Sequence, residues 1–362
     1  MSACITSIGT ANPEYKITQR EVHDFMVKAH KLDQAEAEKL QALYRASGIS
    51  NRYSVIKDYQ RKDQFQFYPN NDNLDPFPST ELRNKLYGKK ALDLSLAAIR
   101  QCLPDDFNVQ RISHLITVSC TGLYAPGLDI EITYALGLSH SVERTGINFM
   151  GCYAAFNALK VANAICVNNA SARVLIVCTE LCSLHFQKEK TDDNLLANAL
   201  FGDGSAAVLV EPASLTTKGL ELQSFACDLL PGGIEDMAWK VGNFGFEMKL
   251  SAYVPNVIQS GIDTLLERLK TTSTNNFDHY AIHPGGKKIL AVVEEKLGIN
   301  KSQNNAAHHV LREYGNMSSP TILFVLKRLM SGFSVDNNED QIFALAFGPG
   351  LTLESIIFRV RS

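Results

Sequence analysis

The sequence predicts an α/β protein made of two similar halves. Three observations carry that expectation. Short apolar, β-branched runs alternate with helical stretches, one order of signatures occurs twice, and 362 residues are more than a single core commonly organises.

Taken in chain order, helical spacing of apolar residues is expected over Gln19–Lys31, Asp33–Ala46 and Ala91–Leu103. The run LITVSC (115–120) reads as a strand. Ile147, Phe149 and Met150 read as a short buried strand, Gly151 permits a tight turn, and Ala154–Asn168 has helical composition. RVLIVC (173–178) and AAVLVE (206–211) are strands, Pro255–Lys270 a helix, and HYAIH (279–283) a strand. Helices over Lys287–Leu297 and Pro320–Met330 and a strand over IFALAF (342–347) complete the series. The Asp/Asn/Pro-rich YPNNDNLDPFPST (68–80) is a surface loop, and EPASLTTKG (211–219) joins the halves, dividing the chain into 1–215 and 216–362.

Composition is that of an ordinary globular protein, with 45% hydrophobic and 20% charged residues. Lys and Arg number 35 against 38 Asp and Glu, a net charge of -3 that carries no nucleic-acid signature. The opening MSACITSIGTANPEYK lacks the order of a signal peptide, and no apolar run approaches the length of a membrane span. A soluble cytoplasmic protein that binds neither nucleic acid nor membrane is expected. Eight cysteines, at 4, 102, 120, 152, 166, 178, 182 and 227, lack the short spacings of a disulfide framework and read as reduced thiols. Cys178, Cys182 and His185 are spaced as metal ligands can be, but no fourth ligand is near, so no metal is expected. No GxGxxG, Walker loop or HExxH is present, which leaves nucleotide and metalloprotease readings without a motif.

The chemistry centres on INFMGCYAAFNALKVA (147–162). An unpaired cysteine is most often a small buried hydrophobe. Cys152, however, falls where a strand turns into a helix, near unpaired N–H groups and the positive end of the helix dipole, which favour thiolate. The duplication supplies partners. LITVSCTG followed by Gly151-Cys152 is matched by HYAIHPGG followed by Gly315-Asn316, with 32 residues from Cys120 to Cys152 and 33 from His283 to Asn316. FGDGSAAVLV and FGPGLTLESII close the two halves. If a pseudo-twofold relates the halves, Cys152, His283 and Asn316 face one pocket: a thiol, an imidazole able to pair with it, and an amide donor.

Together, GCYAAFNALK, LFGDGSAAVLV, AIHPGGKKIL, YGNMSSPTILFVL and FGPGLTLE resemble the type III polyketide synthases, the chalcone synthase-like branch of the thiolase superfamily. The resemblance implies a thiolase-like fold, two pseudo-twofold α/β halves in a layered α-β-α-β-α core. It implies that Cys152 takes an acyl group from a CoA thioester with His283 holding the thiolate. Malonyl-CoA then loses carbon dioxide, His283 and Asn316 stabilise the enolate, and its carbanion attacks the Cys152 thioester in iterative Claisen condensations. It also implies a homodimer with INFMG at the contact, acyl-CoA and malonyl-CoA as substrates, and no resident cofactor. A short polyketide closing to a pyrone or a resorcinol-type ring is the expected product.

By the same resemblance Phe201 is the aromatic wall beside the nucleophile, and Phe246, in NFGFEMKLSAYVP, the second aromatic at the tunnel mouth. Thr121 and Ser318 follow the family pattern in the pocket, whereas Cys182 and His185 replace threonines of the plant enzymes. The basic cluster for CoA phosphates is matched only in part: Lys39 fits, Ala42 and Ala46 do not, and Arg45 and Arg52 are the substitutes. The nearest alternative is a ketoacyl synthase III-like enzyme performing one condensation. A papain-like cysteine protease shares Cys, His and Asn, but its nucleophile would lie near the mature N-terminus.

Overall fold

A computed structural model describes residues 2–231, 233–234, 236–251, 254–270 and 277–362. In chain order the first half comprises β1 (Ala3–Ala11), β2 (Tyr15–Thr18), α1 (Gln19–His30), α2 (Gln34–Ala46), β3 (Asn51–Ser54), α3 (Thr80–Cys102), β4 (His114–Ser119), α4 (Leu128–Leu136), β5 (Glu143–Asn148), α5 (Ala154–Asn168), β6 (Val174–Leu181), α6 (Asp192–Leu200) and β7 (Asp203–Pro212). The second comprises β8 (Gly219–Leu229), β9 (Met237–Gly242), β10 (Gly245–Leu250), α7 (Val254–Lys270), β11 (His279–Ile282), α8 (Lys287–Leu297), α9 (Asn305–Tyr314), α10 (Thr321–Met330), β12 (Gln341–Gly348) and β13 (Thr352–Arg361).

Nine strands form one ladder in the order β11-β12-β13-β8-β1-β7-β6-β4-β5. Read outward from the β1/β8 junction, the two halves repeat. The first strand of each pairs with the last, which pairs with the one before it, and then with β4 or β11. The junction itself is thin, since only Cys4↔Glu221 and Ile5↔Leu220 pair across it. Helices complete the duplication. α3 covers β1, β7 and β6 from outside, and α7 covers β8 and β13. Between the halves lie α5, which reaches β13 as well as β6 and β7, and α10, which reaches β1 and β7 as well as β11. Helices outside, sheets within and helices between give the expected layering.

Local chemistry sets the element ends. Thr18 and Asp33 each close a capping box on α1 and α2, with Glu21 and Glu36 reaching back to the cap. α3 begins at Thr80, eleven residues before the sequence pattern suggests, because the Ser79 side chain caps it by accepting from Leu82 N–H, while its charge-rich first turns hide the apolar stripe. The segment Ile147–Met150 also departs from expectation. β5 ends at Asn148 and is largely exposed, because it is the edge strand beside β4, and Ile147, Phe149 and Met150 are only half-buried. α4, α6 and α9 carry too short a repeat to stand out in sequence.

β1 runs so close to α3 that a Cβ built on Gly9 would overlap the Ala98 carbonyl oxygen and the Cys102 nitrogen. Backbone cannot yield as a side chain can. Gly9→Ala should therefore cost about 1–3 kcal/mol of stability, seen as a lowered melting temperature. An unchanged melting temperature would contradict this packing.

Candidate active site

The turn between β5 and α5 is built from left-handed backbone. Phe149 has φ 59° and Gly151 φ 89°. A side chain on Gly151 would also collide with Pro349, so glycine is required twice over. Gly151 N–H donates to Cys120 Sγ at 3.1 Å, and Cys152 follows, directly before the helix.

The loop Phe347–Gly350 brings the second half to this turn. A Cβ on Gly348 would lie 3.2 Å from Cys152 N, and the Phe347 ring packs edge-on to His283 with centroids 5.3 Å apart. Asn316 arrives by another route. It forms an isolated bridge with Phe201, in which Asn316 N–H donates to Leu200 O and Gly202 N–H to Asn316 O, both at 2.9 Å. Both atoms of its amide lie 3.9 Å from Cys152 Sγ. Ser318 N–H donates to Oδ1 at 2.8 Å, which leaves Nδ2 as the donor toward sulfur. Ser318 itself has φ 59°.

Burial decides the charge states. It pushes the Cys152 thiol up to about 11, against weaker opposing bonds from Ser318 and Asn316. It pushes His283 down to about 3. The helix terminus, expected to favour thiolate, is outweighed by desolvation. Neither ring nitrogen of His283 has a hydrogen-bond partner, and burial favours the neutral forms of both thiol and imidazole. Glu180, unnoticed in the sequence, is wholly buried and pushed up to about 7 by desolvation. Its carboxyl accepts from Cys120 N–H (2.9 Å), Thr121 Oγ1 (2.7 Å) and Ser319 Oγ (2.6 Å). Only its place at the end of a buried strand could have signalled it.

A cavity enclosing about 910 Å³ of non-atom space, mouth included, opens from Cys152. Thr121, Cys182, His185, Phe201, Phe246 and Ser318 line it, whereas His283 and Asn316 are not among its lining residues. Ala252 and Tyr253, which end the motif carrying Phe246, lie outside the described residues. Lys39 and Arg45 are exposed on α2. Arg52 departs from its expected surface place. It is buried, its stem passes Gly202 and Gly315, and Nη1 donates to Asn198 O and Phe201 O at 2.7 Å each. The arginine braces the Phe201 bridge from within. Cys178, Cys182 and His185 do not make a metal site, and among the described residues no His/Cys/Asp/Glu group could hold one. No described helix is long and apolar enough to cross a membrane.

Comparison with known proteins agrees with this geometry. Residues 1–213 match the description "Chalcone and stilbene synthases, N-terminal domain", and residues 221–361 the corresponding C-terminal domain. The chain is 30% identical over 367 residues to "Probable polyketide synthase 1" of Dictyostelium discoideum, covering 98% of this chain and 11% of that protein. It therefore spans about a ninth of that relative's length. Superposition on the crystal structure of the C-terminal type III polyketide synthase domain of Steely1, a type I/III hybrid from Dictyostelium, gives a TM-score of 0.91 at 28% identity, covering 100% of both chains. A polyketide synthase of the brown alga Ectocarpus siliculosus gives 0.89 at 29% identity, over 99% of this chain and 98% of the other.

The charge state of His283 makes stability depend on pH. Its ordinary value, 6.5, applies to the unfolded chain and about 3 to the folded one, so as pH falls the unfolded chain takes the proton first. The contribution is complete above pH 6.5 and is lost toward pH 3. Between pH 6 and 4 this residue should cost up to ~1.4 kcal/mol per pH unit. His283→Gln should flatten the pH dependence of urea unfolding by that share; an unchanged slope would contradict a buried neutral imidazole.

Proposed function

The chain belongs to the chalcone and stilbene synthase family, and on that premise we propose that it is a decarboxylating acyltransferase extending an acyl-CoA starter with malonyl-CoA. The observation that carries this reading is the amide donor of the second half set against the nucleophile of the first. Asn316 Nδ2 faces Sγ, and a neutral His283 holds one N–H with no partner to give up.

Cys152 Sγ attacks the starter carbonyl, the C–S bond to CoA breaks, and the thiol proton leaves with the CoA sulfur. The resulting acyl-enzyme requires no lasting thiolate. In malonyl-CoA the bond to the carboxylate breaks, carbon dioxide departs, and its electron pair becomes an enolate whose oxygen the His283 and Asn316 donors receive. The enolate carbon then bonds to the Cys152 thioester carbon, and the C–S bond to Cys152 breaks. The chain, two carbons longer, is carried by the extender's CoA until it returns to Cys152. Phe201 and Phe246 wall the reacting carbons from water, and Thr121, Cys182, His185 and Ser318 shape the chamber. Extension is read as repeated, with release as a pyrone or a resorcinol-type ring. Lys39 and Arg45 meet the CoA phosphates, and no resident cofactor is required.

The reading includes a cytoplasmic homodimer, supported by the exposed edge strand β5. The halves divide the labour near residue 215, Cys152 coming from one and His283 and Asn316 from the other.

Two measurements test the chemistry. Intact-protein mass spectrometry after acyl-CoA exposure should show one adduct, mapped to Cys152; acylation of a different thiol with Cys152 free would overturn the assignment. Asn316→Ala should lower carbon dioxide release from malonyl-CoA ~100-fold, the cost of one oxyanion donor, while sparing acyl loading. His283→Ala should slow both steps. Equal loss of loading and decarboxylation in Asn316→Ala would refute the division of roles.

A further inference from the structure

The cavity roof is not part of the nine-stranded ladder. β9 and β10 pair only with each other, and turn Met237, Trp239, Phe246 and Met248 onto the space above Cys152. A two-stranded ribbon is marginal alone, so whatever fastens it fixes the ceiling. Thr80 bonds Gly242 O and accepts from Gly245 N–H at 2.8 Å, while Gln187 Nε2 donates to Phe244 O and Phe246 O. Those ties hold its outer end. At the inner end Trp239 Nε1 donates to Cys120 O at 2.7 Å, Gly350 N–H donates to Met237 O at 3.2 Å, and His185 adds a further tie.

His185 is committed on every side. Nε2 lies 2.8 Å from the Thr121 carbonyl oxygen, which can only accept, so Nε2 carries the proton. Nδ1 is therefore the acceptor, and Phe246 N–H donates to it at 3.0 Å. The imidazole also lies flat on the Phe246 ring, with centroids 4.2 Å apart and planes 8° from parallel, and meets Trp239 edge-on at 5.6 Å. Burial pushes it down to about 3, so this neutral tautomer persists across the working range of pH. The approach is close enough that a Cβ on Gly245, at φ 105°, would come within 3.2 Å of Nδ1.

We propose that His185 is the positioning residue that seats the β9–β10 roof over Cys152, holding Phe246 where it sets the space open to the growing acyl chain. This rests on the reading of the cavity as an elongation chamber. A residue that merely filled space would act through its bulk; His185 acts through its Nδ1 acceptor and its stacked face. The same backbone amide that places Phe246 is therefore the one whose loss loosens the ceiling.

Two substitutions separate bulk from bonding. His185→Asn keeps an amide oxygen near the old Nδ1 for Phe246 but loses the Thr121 tie; His185→Gln, closer in size, keeps a donor near the old Nε2 and loses the Phe246 tie. With melting temperature checked, the readouts are carbon dioxide released per cyclised product and the distribution of product lengths. His185→Asn, which keeps the Phe246 bond but loses the stack and the Thr121 tie, should show the smaller defect of the two. His185→Gln should waste about fivefold more malonyl-CoA, the factor for one lost hydrogen bond, and adding Phe246→Ala to it should bring little further change. A wild-type-like His185→Gln, or a defect in His185→Asn at least as large as in His185→Gln, would overturn the proposal. Alkylation of Cys152 by iodoacetamide reads the seat without turnover and should quicken more in His185→Gln than in His185→Asn. Failure of the wild-type protein to release carbon dioxide from malonyl-CoA would refute the synthase reading alone, leaving the alkylation result to judge the roof.

Discussion

Everything at the site depends on the two-residue bridge between Phe201 and Asn316. It is the point where backbone of one half is hydrogen-bonded to backbone of the other beside the nucleophile. Arg52 braces it from below, and the absence of side chains at Gly202 and Gly315 makes room for the arginine's stem. One guanidinium thus fixes both an aromatic wall and an amide donor.

The electrostatic theme is neutrality. Desolvation raises the thiol and Glu180 and lowers His185 and His283, so the charged forms of these groups are disfavoured. Such a site does not store charge in advance; it stores unpaired donors. Donors held in place without solvent cost no reorganisation when an oxyanion develops, and they are stronger for the low dielectric around them. The sequence suggested a ready thiolate because a helix terminus is visible in sequence, whereas the depth of a side chain is not.

Elsewhere the sequence was readable where pattern is local. The helix Ala154–Asn168 and the strands through Leu115, Val177 and Val208 were evident because each buries one face or both. The duplicated order of signatures puts Cys152 and Asn316 on equivalent turns, and in the fold their side chains meet at 3.9 Å. What escaped was set by tertiary context. β5 reads as buried yet occupies an edge, Arg52 reads as a surface cation yet threads between two glycines, and the partners of Glu180 come from two distant segments. His185 was legible as bulk; its tautomer and its hold on Phe246 required the fold.

The thin β1/β8 junction has a consequence for the order in which the molecule matures. With only two residue pairs joining the ladders, the first half carries most of its own strand pairing and is complete in sequence by Pro212. During synthesis that half can fold first, as units nearer the N-terminus do. Cys152 is then in place while the segments bearing His283 and Asn316 are still to emerge. In the nascent half the Cys152 sulfur still lacks the Asn316 amide, and its backbone lacks the cover of Gly348. The donor set arrives late, with the closing of Asn316 onto Phe201, so the pocket is complete only when the second half has docked on the first.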